Sequence, residues 1–399
     1  MVTYSVPGVY WDKLLPSTPV SEIETGVPVF LGYAKLARHL RCLKRSRHPL
    51  TKLTSWEDFS VYFGLGKPDS YLAPAVKGFF QNGGRRCYVM PLPTANNPQR
   101  AKRVLALGLK KILRLEEVDL VCTPDIMKSV GMEQTSDPTR IHELQGLVLR
   151  HCDEAGDRFA ILDSPPEVSN EQAVDARHGL VSANGALYYP WVRVEGGAEA
   201  ISDGVPPCGH IAGVYAHTDA NLGVFKAPAN ELVEGVIDLM VHLTDEDQGP
   251  LNELGVNCLR SLGGRGIRVW GARTLSGLLD WRYVNVRRLF ITLGRWIRQY
   301  QAHICFEPHT EQLWASIERD LTVYLGGLFQ RGALKGDTPG QAFYVKCDAE
   351  TNPSFSREEG CLVTEVGLCP RVPGEFIVVQ LFQKPDGIHL VGIPEPSRT

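Results

Sequence analysis

Val27-Pro28-Val29-Phe30-Leu31-Gly32-Tyr33 opens a series of short apolar runs, and that series decides the fold class. Further runs follow at 87–92, 118–123, 159–163 and 186–194, separated by stretches long enough for helices. Strand candidates alternating with helical patterns predict an α/β domain with a mostly parallel sheet. Two intervening segments carry helix signals. Ser55 precedes Trp56-Glu57-Asp58-Phe59, which places a capping hydroxyl and first-turn carboxylates where a helix start has unpaired amides and a positive dipole. Leu72, Val76, Phe79 and Phe80 recur at helical spacing, and Gly83-Gly84 ends that helix before the strand at Cys87.

Outward from this core the texture changes. Residues 1–24 contain Pro7, Pro16 and Pro19, and the alternation of Tyr4, Val6 and Tyr10 reads as an extended arm. Residues 201–230 are rich in Gly and Pro, including Pro206-Pro207, and read as a connection out of the α/β domain, with a boundary near residue 235. Strands are expected at 256–262 and 267–275, joined by a turn at Gly263-Gly264-Arg265-Gly266. After Trp281, Val286, Leu289, Phe290, Leu293, Trp296, Ile297 and Tyr300 form one helical stripe, with Arg287, Arg288, Arg295 and Arg298 on the other face. A second helix is expected over 310–330, with Leu313, Trp314, Ile317, Leu321, Tyr324, Leu325 and Leu328 inward and Gly332 as its stop. Strands at 342–346, 361–368 and 376–382 complete an α+β domain in which two helices pack against a small sheet. The organisation is therefore an arm over 1–24, an α/β domain with its connection over 25–235, an α+β domain over 236–374, and a last strand with a C-terminal arm over 375–399.

A chain of 399 residues accommodates two or three domains at roughly 100–200 residues each. With 43% hydrophobic and 22% charged residues and a net charge of -3, nothing draws it in bulk to nucleic acid or membrane. The ten cysteines are scattered without a CxxC pair, so reduced thiols and no disulfides are expected. The N-terminus lacks a basic stretch followed by an apolar run, and 18 apolar residues never occur together, which argues against a signal peptide and a membrane span.

Enzyme motifs fail on spacing. His142-Glu143 begins like a zinc-protease helix, but Gly146 stands where the second histidine belongs. Gly263-Gly264-Arg265-Gly266 fits neither phosphate-binding pattern, and no GxSxG supplies a nucleophile elbow. His303, Cys305 and His309 cluster without an identifiable fourth ligand, and Ile304 and Phe306 beside the cysteine read as a buried strand entry. No catalytic residue, cofactor or metal is assigned. Lys35, Arg38, Arg41, Lys44, Arg45, Arg47 and Lys52 occur with no acidic residue between Gly26 and Trp56. Aromatic residues for base stacking are missing from 34–55, so a solvated loop or an acidic neighbouring subunit is preferred to nucleic acid. The arginine stripe after Trp281 is left open between a solvated face and a partner contact.

Trp281-Arg282-Tyr283-Val284-Asn285-Val286-Arg287-Arg288-Leu289-Phe290, then Phe306-Glu307-Pro308, Cys347-Asp348, Thr351-Asn352-Pro353 and Pro373-Gly374-Glu375-Phe376-Ile377-Val378 form an ordered string. It resembles the C-terminal domain of contractile tail sheath proteins, found in contractile phage tails and phage-tail-like injection systems. Val6-Pro7-Gly8-Val9-Tyr10, the 27–33 run, and segments 79–89, 186–191, 226–231 and 265–273 match in family order, so the resemblance covers most of the chain. It implies a structural, non-enzymatic subunit, its α/β domain outermost, that polymerises as stacked helical hexameric rings around an inner tube and contracts to drive the tube through a target envelope. Arms of neighbouring subunits would add strands to a third, here through Tyr4, Val6, Val9 and Tyr10 at one end and Phe376, Val378, Leu381 and Phe382 at the other. Both segments would leave backbone groups unpaired in a monomer. The resemblance further implies that Arg287, Arg288, Arg295 and Arg298 face the inner tube. Implied partners are the chain itself, the tube protein, and baseplate and terminator proteins, with assembly in the cytoplasm, no nucleic acid and no membrane insertion. Thr292-Leu293-Gly294-Arg295 departs from the acidic residues that often follow in the family, which puts the charge offered to the tube in doubt. Competing expectations are an α/β enzyme with a ligand pocket at the strand C-termini, and a non-contractile tube or baseplate component.

Overall fold

The structure, a computed structural model, describes residues 23–37, 50–64, 66, 70–128, 137–195 and 204–371, together with the backbone of strands 377–384 and 387–392. The arm residues Tyr4, Val6, Val9, Tyr10 and Phe376, and most of the basic 35–52 stretch, lie outside the described residues. The chain forms two compact units, one over Glu24–Arg295 and one that includes Trp296–Cys369 and the C-terminal strands.

The larger unit contains β1 (Pro28–Tyr33), β2 (Thr51–Leu53), β3 (Cys87–Leu92), β4 (Leu120–Cys122), β5 (Phe159–Asp163), β6 (Gly185–Tyr189), β7 (Val192–Val194), β8 (Val236–Leu239), β9 (Val256–Leu262) and β10 (Gly266–Trp270). Eight of these form one sheet in the order β10-β9-β6-β5-β4-β1-β3-β2, and β7 pairs with β8 separately. The central strands run parallel, and β2 and β10 lie antiparallel at the edges. Both faces are covered by helices: α1 (Trp56–Phe63), α2 (Leu72–Gln81), α3 (Pro98–Ile112), α4 (Pro138–Ala155), α5 (Asn170–Arg177), α6 (Cys208–Leu222) and α7 (Asp245–Glu253). Because side chains alternate across a strand, each run feeds two cores. Phe30, Phe159 and Ile161 pack with α1, α2 and α6, while Val29, Leu31, Ala160 and Leu162 pack with α3, α4, α5 and α7. The helix starts are set locally. Ser55 accepts from Asp58 N, Asn97 accepts from Arg100 N with Pro98 beside it, and Ser169 and Thr244 each close a capping box.

Two expectations are corrected here. The Gly- and Pro-rich stretch 201–230 is not merely a connection, because it contains α6. Every residue from Cys208 to Ala216 is buried, so this part of the helix has no polar face and no amphipathic period to read. Its glycines permit close crossing: a Cβ at Gly209 would lie 2.1 Å from Ala75 O, and one at Gly213 2.5 Å from Phe79 O. The compact units also divide at Arg295/Trp296 rather than near residue 235. The reason is that β9 pairs in parallel with β6 and carries β10 into the same sheet, across the expected hairpin turn.

The next helix, α8 (Val284–Ile304), carries the stripe from Val286 to Tyr300 as a buried face. The smaller unit takes its last residues, α9 (Glu311–Gln330), and the antiparallel sheet β11 (Phe343–Lys346), β12 (Leu362–Leu368), β13 (Ile377–Lys384) and β14 (Gly387–Gly392), in that order. Leu313, Trp314, Ile317, Leu321, Leu325 and Leu328 are buried, and the Trp296 ring stacks on Tyr300 and on Tyr324, with centroids 5.3 and 4.2 Å away. Residues 303–309 are not a buried strand entry. The helix runs through Ile304 and turns at the surface, with Cys305 exposed and Phe306 fully exposed at φ 72°. The C-terminal segment is corrected as well: β13 is bonded to β12 on one side and β14 on the other, so the backbone around Val378, Leu381 and Phe382 is paired within this chain. Among the described residues no helix is long and apolar enough to cross a membrane.

Candidate functional site

The Arg-Arg-Leu-Phe motif begins α8, and the structure turns its second arginine inward. Arg288 is 2% exposed and grips Asp219 through two bonds, Nη1 to Oδ1 at 2.9 Å and Nη2 to Oδ2 at 2.5 Å. Nη2 also donates to Asp119 Oδ2 at 2.9 Å. Asp119, at the entry to β4, accepts from Gly26 N at 3.0 Å and Val27 N at 2.7 Å. The guanidinium lies 4.8 Å over the ring of Tyr215, whose hydroxyl meets that of Tyr188 at 2.6 Å. Four segments far apart in sequence therefore meet at one cation: the entry to β1, the entry to β4, α6 and α8. Burial alone would weaken the proton on Arg288, but Asp219 and then Asp119 outweigh it and hold the group charged, above its ordinary pKa.

The other arginines separate. Arg287 Nε donates to Asn184 Oδ1 at 2.7 Å and its guanidinium covers the Trp281 ring at 4.8 Å; burial pushes its pKa down to about 10. Arg295 is half-buried and donates to the carbonyls of Glu24 and Glu116, at 3.2 and 2.9 Å. Arg298 is exposed. The expectation that all four present one outward face is corrected for Arg288 and Arg287. Helical spacing does place them opposite the apolar stripe, but the first turns of α8 are enclosed on that side too. Asp119 and Asp219 went unassigned in the sequence. A lone carboxylate inside the apolar 118–123 run was the available signal for the first, and the second lies on the unread helix α6.

In parallel α/β folds ligands bind where strand order reverses, outside the strand C-termini. Here that crevice lies between β1 and β4, and Asp125 fills it. Its carboxylate accepts from Tyr33 N at 2.5 Å, Tyr71 N at 2.6 Å and Ser70 Oγ at 2.6 Å, and a Cβ at Gly32 would come within 2.7 Å of it. At the end of β5, Asp163 accepts from Cys208 N at 2.7 Å, anchoring the start of α6. Burial raises both carboxyls, Asp163 to about 7. Both act as internal staples. His309 donates or accepts within its own unit, with Trp314 Nε1 at 3.1 Å and Cys361 O at 3.1 Å, and among the described residues no group of His, Cys, Asp or Glu is placed to hold a metal.

The smaller unit has its own polar anchor in Thr351-Asn352-Pro353. Asn352 is fully buried; its Oδ1 accepts from Val363 N at 2.7 Å, and its Nδ2 donates to Val363 O at 2.9 Å and Asp348 O at 3.1 Å. The motif thus pins the loop after β11 to the start of β12, which bears β13 on its other side.

The family model for the phage tail sheath protein central domain matches residues 106–275. The chain is similar to the tail sheath protein of Vibrio phage KVP40, 27% identical over 179 residues, which make up 44% of this chain and span only about a quarter (26%) of that protein. Solved structures match over nearly the whole length. A chain of the anti-feeding prophage baseplate is 32% identical with a TM-score of 0.73, covering 94% of this chain and 98% of that one. A chain of the anti-feeding prophage helical sheath in its contracted state is 30% identical with a TM-score of 0.71, at the same coverage. With the central-domain match, the order of the sequence motifs and the mixed α/β fold in agreement, the chain belongs to the contractile tail sheath family.

Proposed function

We propose that this chain is the structural subunit of a contractile sheath, polymerising as stacked helical hexameric rings around an inner tube and shortening to drive that tube through an envelope. The observation that carries the reading is the full-length likeness to a chain of a contracted helical sheath at 30% identity. The subunit assembles in the cytoplasm around its tube, bounded by baseplate and terminator proteins, and becomes part of a phage tail or tail-like particle. It is not an enzyme in this reading. Asp125 and Asp163, the carboxylates at the strand C-termini, are engaged by the chain's own amides, which favours a mechanical part over the enzyme alternative. The extended lattice is kinetically trapped, and contraction runs downhill because the compact lattice buries more surface between subunits.

Strand addition links the copies. Residues 1–20 supply an arm, and the edges β11 and β14 of the small sheet are the backbone templates it can join. Each added strand of about six hydrogen bonds contributes several kcal/mol, at roughly 1 kcal/mol net per bond. Arg298, exposed on α8, is the residue of the arginine stripe assigned to the tube contact.

Negative-stain microscopy of the purified chain tests the reading. Wide, ridged, hollow cylinders are expected; a small soluble oligomer with no cylinders would refute it. Deletion of Met1–Pro16 should leave folded monomer without cylinders, whereas unchanged cylinders would remove the N-terminal arm from the scheme.

A further inference from the structure

Charge is segregated across one face of the α/β unit, and neither pole takes part in the Arg288 junction. At one pole α3 and the turn after it carry Arg100, Lys102, Arg103, Lys110, Lys111 and Arg114, all exposed, with no acidic residue from 93 to 115 and with Glu116 and Glu117 exposed at its border. Of these, Lys102 alone has an ion-pair partner among the described residues, Glu143 at 3.2 Å. Leu107 and Leu113 are 52% and 47% exposed within the same patch. At the other pole α5 and α7 touch each other and expose Glu171, Asp175, Asp245, Glu246 and Glu253, with no Lys or Arg from 231 to 259, while Arg177 of α5 donates to the carbonyls of Leu180, Leu254 and Leu275. Arg260 reaches Asp245 from β9 and leaves the other four.

Both poles pack on the same face of the sheet, since α3, α4, α5 and α7 share one core. α3 lies on β3 and α7 on β9. Five inter-strand steps separate these strands, about 24 Å at the usual spacing. The screening length at physiological ionic strength is about 8 Å, so the poles do not neutralise each other within one molecule. A net charge of -3 conceals this arrangement.

We propose that the basic pole of one copy docks on the acidic pole of the next, a head-to-tail contact between α/β units that rests on the sheath reading and names the surfaces used. Because both poles lie on one face, two copies related by a two-fold axis would pair each pole once and close, whereas a head-to-tail contact gives each neighbour one pole and propagates into rings or helices, the arrangement the sheath reading requires. The chain supplies both halves of the pairing, so a second copy is the partner, and Leu107 and Leu113 give the contact an apolar centre inside a charged rim.

The test uses the full chain in three forms. One carries Arg103→Glu, Lys110→Glu and Lys111→Glu; a second carries Glu171→Lys, Glu246→Lys and Glu253→Lys; the third combines all six. Sedimentation velocity at low and high salt reads self-association, negative stain reads cylinders, and far-UV circular dichroism confirms folding, which exposed substitutions should spare. Wild-type association should weaken with salt. Each triple reversal should lower the associated fraction by about tenfold or more, because like charges then face each other, and the combined variant should recover it. Cylinders indifferent to either reversal would overturn the contact while leaving the sheath reading intact. So would a combined variant that folds yet stays dissociated, or a basic-pole reversal that loses affinity for DNA or the tube alone. Salt-sensitive oligomers larger than a dimer that obey the charge swap without forming cylinders would instead support the contact and sink the sheath reading, and a closed dimer would overturn the head-to-tail contact.

Discussion

The two units differ in how they finish their sheets. The eight-stranded sheet ends in antiparallel strands, and beyond β10 the chain covers its own edge: Asn230 N donates to Val269 O at 2.7 Å, Val233 N to Ile267 O at 2.9 Å, and Val269 N to Glu231 O at 3.0 Å. The four-stranded sheet stops at β11 and β14, with no further strand alongside either among the described residues. Bare edges template added strands, and natural proteins usually blunt them. The contrast teaches that the same chain covers the β10 edge of one sheet with its own backbone and adds no strand, among the described residues, beyond either edge of the other. The polar interiors differ in kind as well. The larger unit is stapled by buried ions, the smaller by the neutral amide of Asn352.

The sharpest way to break the comparison is Arg288→Ala. It leaves Asp119 and Asp219 buried without their cation, and should cost the larger unit about 3–5 kcal/mol. Arg288→Lys should recover part of that, because one ammonium cannot reproduce the two-pronged grip. Guanidinium denaturation of the full chain checks both. Equal stability of Arg288→Ala and wild type would show that the ions hold nothing together.

Next comes pH. His210 is 1% exposed, and burial lowers its pKa from 6.5 to about 4. The folded state keeps it neutral while the unfolded chain takes up a proton, so its contribution is present above pH 6.5 and lost as pH falls toward 4. Asp163 has the opposite sign. Raised from 3.8 to about 7, it stays protonated when folded, and its contribution is lost as pH rises through that range. The two trends oppose each other between pH 4 and 6.5. Asp163→Asn removes one of them, and the variant should lose about 3 kcal/mol more than wild type between pH 6.5 and 4. A variant whose thermal melts follow the wild-type pH dependence would contradict the assignment.

Asn352→Ala should act on the smaller unit alone, costing about 1–3 kcal/mol by orphaning Val363 N and its neighbours. Hydrogen exchange should quicken at β12 and leave β1, β4 and β5 unchanged; acceleration in both units would erase the distinction drawn here. Smallest of all is Arg298→Glu, a surface change expected to stay within about 0.5 kcal/mol of wild type in denaturation. Its effect should appear as poorer assembly on the inner tube, and unimpaired assembly would remove Arg298 from that contact.

Legibility followed burial pattern. β3 and β5 occupy the apolar runs at 87–92 and 159–163, because a strand buried on both faces reads as unbroken hydrophobicity. α8 and α9 were readable because each keeps one polar side. α6 was not, since burial all round replaced periodicity with small and apolar residues, and its glycines imitate a connection. The run at 186–194 divides into β6 and β7, whose two strands pair in different sheets. Cys305 and Phe306 are apolar yet exposed, because the turn after Ile304 holds them outside.

From its amino acids alone this chain declared most of its strands, the helices α1, α2, α8 and α9, the Ser55 cap and its sheath-like motifs, all of which depend on residues within a few positions of one another. The tertiary structure decided what those elements join. Arg288 meets Asp119 and Asp219 across separations of 169 and 69 residues, and β9 chooses β6 over a sheet of its own. Such contacts leave no periodic trace in the chain. They are selected when the backbone closes and a buried charge must find its partner, whatever lies between them in sequence.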